Sequence, residues 1–124
     1  MSSPQPGRPI AETEVRHRMN DALAEAVMGW RPQAERYYTG PNEYRPKHRF
    51  DPMRDLTAAW QLWEAAGAFE GKLTVETDHT GTMTFSATVR CRVGDGLAIA
   101  PAAAQAMAEA VANAYGIDCK EMAR

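Results

Sequence analysis

Hydrophobic and polar positions alternate most regularly between Lys72 and Val93. Leu73, Val75 and Thr77 interleave with Lys72, Thr74 and Glu76. After Asp78-His79-Thr80-Gly81, the residues Met83, Phe85, Ala87, Val89, Cys91 and Val93 interleave with Thr82, Thr84, Ser86, Thr88, Arg90 and Arg92. A period of two places one set on each face of a strand. The segment therefore predicts an antiparallel hairpin with one buried face and one polar face. A two-stranded hairpin alone is marginal in water, so added strands are expected, from the 37–44 region or from a second chain.

Three other segments follow the helical period. Val15, Met19, Leu23 and Val27 form one stripe and predict a helix over 12–28, closed by Gly29 in the left-handed conformation that glycine adopts without penalty. Asp51 as N-cap and Pro52 at the first helical position predict a second helix start, with Leu56, Ala59, Trp60 and Trp63 facing inward and Gly67 at the end. Gly94-Asp95-Gly96 reads as the break after the second strand. A third helix then runs from Pro101 to Gly116 with Ala103, Met107, Val111 and Ala114 on one face. Periodicity lapses over 31–50, where Tyr37 and Tyr38, a Gly40-Pro41 turn and Tyr44 predict an irregular hairpin. The expected fold is α+β, an antiparallel sheet with helices packed on it, in the order helix, irregular hairpin, helix, strand, strand, helix. Residues 10–124 make one domain behind a flexible Ser-, Pro- and Gly-rich segment at 1–9. Trp30, Leu56, Trp60, Phe85, Val89 and Met107 are the expected core.

Charge narrows the function classes. A net charge of -2 lacks the dominant positive field that duplex nucleic acid requires. No apolar run marks a signal peptide or a membrane span, which points to the cytoplasm. Cys91 and Cys119 have no metal or redox spacing, and Cys91 reads as a small buried hydrophobe. His17, His48 and His79 form no ligand pair, so no metal and no cofactor are expected. Ser86 lies on a strand without a nucleophile elbow, and no phosphate-binding glycine motif occurs. No catalytic residues stand out, and the chain reads as a non-enzyme.

One cluster could carry binding chemistry. Arg36, Tyr38, Tyr44, Arg45, Lys47, Arg49 and Phe50 lie within fifteen positions beside a helix start. Arginine forks match phosphate oxygens, aromatic faces stack on planar rings, and helix N-termini favour anions. Arg90 and Arg92, on the polar strand face, are second-rank candidates.

The blocks LAEAVMGWR, FDPMRDLTAAWQLWE and APAAAQAMAEAVANAYG resemble the phage ABA sandwich domain family. Glu25, Val27, Met28, Gly29 and Trp30 match its first block. Phe50, Asp55, Ala58, Ala59, Trp60 and Glu64 match the second, and Pro101 with the alanines matches the third. The resemblance spans roughly residues 21–116; the middle loop is more basic than the family pattern. It implies a small α+β protein of phage or prophage origin and supplies no catalytic residue. In that context the expected function is a homo-oligomeric accessory protein, a counter-defence module that sequesters a small anionic, nucleotide-like immune signal. The alternative is a protein-interaction module that inhibits a host defence protein or serves the virion.

Overall fold

The computed structural model describes residues 12–118, so the expectations for 1–9 and for Cys119 lie outside the described residues. Helix α1 (Glu12–Leu23) runs into a π-helical turn (Ala24–Met28), and strands β1 (Arg31–Gln33), β2 (Arg36–Gly40) and β3 (Glu43–Pro46) follow. A 3-10 turn (Lys47–Arg49) leads toward α2 (Leu56–Ala65). Then come β4 (Glu70–Thr77), β5 (Met83–Cys91), β6 (Gly94–Ala100) and α3 (Ala103–Ala114). The strands form two three-stranded antiparallel sheets, β1-β2-β3 and β4-β5-β6. The fold is α+β, in roughly the expected order, with one strand added to each predicted hairpin.

The strand that completes the larger sheet comes from neither expected source. It is β6, built from residues read as a break and a helix approach. Gly94 makes it possible: at φ 146° it pairs with Cys91 across a two-residue turn. Ala87, Val89 and Cys91 of β5 and Ala98 and Ala100 of β6 are buried on the face that α3 covers. Small side chains on both sides let helix and sheet approach closely. A Cβ at Gly96 would collide with the Ala110 carbonyl oxygen. Ala104, Ala106, Met107, Ala108, Ala110, Val111 and Ala112 of α3 are all buried.

The second helix starts later than expected. Asp51 does not cap it, because the Asp51 carboxylate accepts from Asn20 Nδ2 at 2.7 Å and pairs with Arg16 at 3.4 Å. Asp55 is the N-cap and accepts from the Thr57 N–H at 3.2 Å. The inward face is also rotated. Ala59, Leu62, Trp63 and Ala66 are buried, whereas Leu56 and Trp60 are 44% and 52% exposed, so neither belongs to the core. Trp63 sets this rotation: its Nε1 donates to the Met107 carbonyl at 3.0 Å, and its ring fills the space over Gly71. Trp60 packs edge-on against it, 5.5 Å between ring centroids.

Met19 and Leu23 of α1 are buried, as the stripe predicts, and Gly29 ends the helical run at φ 73°. Val89 and Met107 are core residues, while Trp30 and Phe85 are only partly buried. Val93, expected on the inward strand face, is exposed in the turn after β5. No helix among the described residues is long and apolar enough to cross a membrane.

Candidate functional site

The basic and aromatic residues of 31–50 become one structure because they lie on the small sheet. Arg31 pairs with Tyr38, and Tyr38 with Tyr44, so these three form a row across one face. Tyr37 pairs with Pro32 and Arg45 on the opposite face, toward Trp30 and Phe50. The ring centroids of Trp30 and Phe50 are 4.9 Å apart and those of Tyr37 and Phe50 5.9 Å. Four cations lie over four rings: Arg31 over Tyr38, Arg36 over Tyr44, Arg45 over Trp30 and Lys47 over Tyr37, at 5.3, 4.3, 5.1 and 5.4 Å from the centroids. Such stacking holds a long side chain in place without neutralising it.

Two clefts flank this sheet. The first, 560 Å³, opens at the start of α2 and is lined by Tyr44, Arg45, Pro46, Arg49, Asp55, Thr57 and Gln61. Two arginines face one carboxylate there, so positive charge is in surplus. The second, 440 Å³, includes Arg16, His17, Asp21, Glu35, Tyr37, Lys47, His48, Asp51 and Arg54. Its charges balance and are largely spent on one another. Lys47 Nζ bonds Asp21 at 3.1 Å, and the Tyr37 hydroxyl donates to Asp21 at 2.8 Å. Burial, then the Asp21 hydrogen bond and charge, push the Tyr37 pKa far above its ordinary value. That phenol stays protonated as a structural donor. His17 and His48 come together in this cleft, but among the described residues no cluster suited to a metal ion occurs.

The expected site residues therefore divide. Tyr44, Arg45 and Arg49 share the first cleft, and Arg36 supports it through Tyr44. Tyr38 lies on the same sheet under Arg31. Lys47 faces the second cleft. Phe50 is fully buried, so it anchors the loop and cannot stack on a ligand. Arg90 and Arg92 lie on the other sheet and its turn. Arg90 is held between Glu70 at 3.4 Å and Asp95 at 3.5 Å, and Arg92 donates to the Ala65 carbonyl at 2.7 Å. Arg31, Thr57 and Gln61 were not anticipated. Arg31 reaches the sheet through a turn in which Ala34 takes φ 52°, a conformation its sequence does not announce. Thr57 and Gln61 face the cleft only because α2 starts at Leu56.

Comparison with known proteins places the architecture. One solved structure, a phage protein from Bacillus cereus ATCC 14579, superposes with a TM-score of 0.66 over 83% of this chain and 89% of its own, at 14% identity. The two proteins share a fold. No protein-family model matches the chain, and no curated protein matches it either. The fold is thus one that a phage protein uses.

Proposed function

We propose that this chain is a phage accessory protein, of the ABA sandwich kind, that binds a small anionic ligand without turning it over. The observation that supports this reading most is the first cleft. Arg45 and Arg49 give it surplus positive charge, Tyr44 gives it an aromatic wall, and Thr57 and Gln61 add polar groups. Arg45 and Tyr44 are already fixed by Trp30 and Arg36, which lowers the ordering cost of binding. An aromatic wall in one cleft with two arginines suits a nucleotide: the ring stacks and the forks take the phosphate. In a phage such a module would sequester a nucleotide-type signal of host immunity. Mass spectrometry of small molecules released by heating the protein purified from phage-challenged cells tests this. An intact nucleotide released in stoichiometric amount supports the reading; a hydrolysed product would show turnover and contradict it.

A second reading, inhibition of a host defence protein by direct contact, is favoured by exposed apolar side chains on the larger sheet. Leu97 and Ile99 are 54% and 65% exposed on the face opposite α3, and Phe69 is 72% exposed just before β4. Co-purification of one host protein in stoichiometric amount, lost in a Leu97→Asp, Ile99→Asp variant, is the outcome that reading requires.

A further inference from the structure

The two edges of the larger sheet differ. At β6, α3 lies against the strand, and Asn113 Nδ2 donates to the Leu97 carbonyl at 2.6 Å. At β4 nothing comparable is present among the described residues: the strand pairs with β5 alone, and all eight of its residues are exposed. A long bare edge is a template for another strand, and proteins that remain monomeric cover, shorten or bulge such edges.

The backbone groups at this edge can be identified. The Asp78 N–H donates to the Thr82 carbonyl at 3.0 Å, in line with the register that pairs Thr77 with Met83. Even-numbered residues of β4 therefore spend their N–H and C=O groups on β5. Gly71, Leu73, Val75 and Thr77 turn theirs toward the open edge. Leu73 and Val75 pair with Ala87 and Phe85, so they lie on the α3 side of the sheet, yet they are 40% and 51% exposed. Met83, on the same side, is 48% exposed. This strip needs a cover that the described chain does not supply.

We infer that β4 pairs antiparallel with β4 of a second copy, across a twofold axis at Thr74, to make a continuous six-stranded sheet. This register joins the odd-numbered residues through their open backbone groups and sets Leu73 against Val75 of the partner, twice. On the other face it sets Lys72 against Glu76 of the partner, also twice. The strand is thus complementary to itself in charge and in apolar content. A self-complementary patch is what a twofold interface requires, and opposite charges directly across a ladder stabilise it. Within one chain Lys72 and Glu76 pair with Thr88 and Thr84, so neither depends on the other for folding.

Sedimentation equilibrium across the micromolar range reads the assembly. The wild type is expected to be a dimer. Lys72→Glu should weaken it by about tenfold or more, since two attractive pairs become repulsive. Lys72→Glu combined with Glu76→Lys should restore it, because the swapped charges meet again. Thr74→Cys in a Cys119→Ser background should form a disulfide-linked dimer on mild oxidation, because directly opposed residues of a non-hydrogen-bonded pair lie within disulfide reach. A monomeric wild type throughout that range would overturn the inference. So would a Lys72→Glu variant that dimerises as tightly as the wild type, or a Thr74→Cys variant that stays uncrosslinked.

Discussion

Trp63→Ala is expected to be among the most damaging single substitutions in this chain. The side chain is 5% exposed and joins three elements: it belongs to α2, donates to the Met107 carbonyl of α3 at 3.0 Å, and covers Gly71 of β4. Large aromatic truncations cost about 3–5 kcal/mol, and the spread depends on how far neighbours can close the void. Here closure is poor, because Gly71 has no side chain to move in and α3 already contacts β6 at Gly96. The lost hydrogen bond adds about 1 kcal/mol, which places the loss near the top of the range, about 4–5 kcal/mol. Trp60 lies three residues earlier in the same helix but is 52% exposed. Its truncation should cost less than about 1.5 kcal/mol, roughly half of what full burial of a large apolar side chain contributes. Urea unfolding of both variants, followed by far-UV circular dichroism, measures the difference. Equal losses, or a Trp63→Ala loss under about 1.5 kcal/mol, would refute the assignment of the inner face of α2.

Gly96→Ala should lower stability by about 3 kcal/mol, the upper end for overpacking, because the atoms a Cβ would meet are backbone of Ala110 and Ala114 and cannot step aside alone; a thermal midpoint within about 2 °C of wild type would count against the close α3–β6 contact. Glu109 is partly buried, its Oε2 has no hydrogen-bond partner, and desolvation raises its pKa against a smaller opposing effect of the Gln105 hydrogen bond. A raised folded-state pKa means its contribution to stability is full below the unfolded pKa and is lost as pH rises through the folded one. Glu109→Gln should therefore raise the melting temperature at neutral pH, with the gain shrinking toward about pH 4; a pH-independent effect would exclude this cause.

Much of the architecture could be read from period alone. The hairpin of β4 and β5, the stripe of α1 and the left-handed Gly29 follow from spacing because each is decided by its own residues. The misplaced features were decided by distant ones. Asp51 has the chemistry of an N-cap, but Asn20, 31 residues away, takes its carboxylate and leaves capping to Asp55. Leu56 and Trp60 fit an inward helical face as well as Leu62 and Ala66 do, and only the Trp63 contacts with α3 and β4 choose between them. Strand β6 is hard to read from sequence because Gly94-Asp95-Gly96 has the composition of a turn and Ala98 and Ala100 are poor strand formers, used here since α3 needs room against them. In the candidate site, composition pointed to Arg45, Arg49 and Tyr44 together. It could not separate them from Lys47, which faces Asp21, or from Phe50, whose ring serves the core.

Calorimetric titration of the wild type and of an Arg45→Ala, Arg49→Ala variant against linear and cyclic nucleotides tests the binding proposal most directly. Charge-assisted hydrogen bonds contribute about 1.5–3 kcal/mol each, so loss of two should weaken binding by about a hundredfold or more, with the circular dichroism spectrum unchanged. An Arg90→Ala variant, altered on the other sheet, should bind as the wild type does. Unchanged affinity in the folded double variant, or no binding of any nucleotide by the wild type, would contradict an anion site at the start of α2.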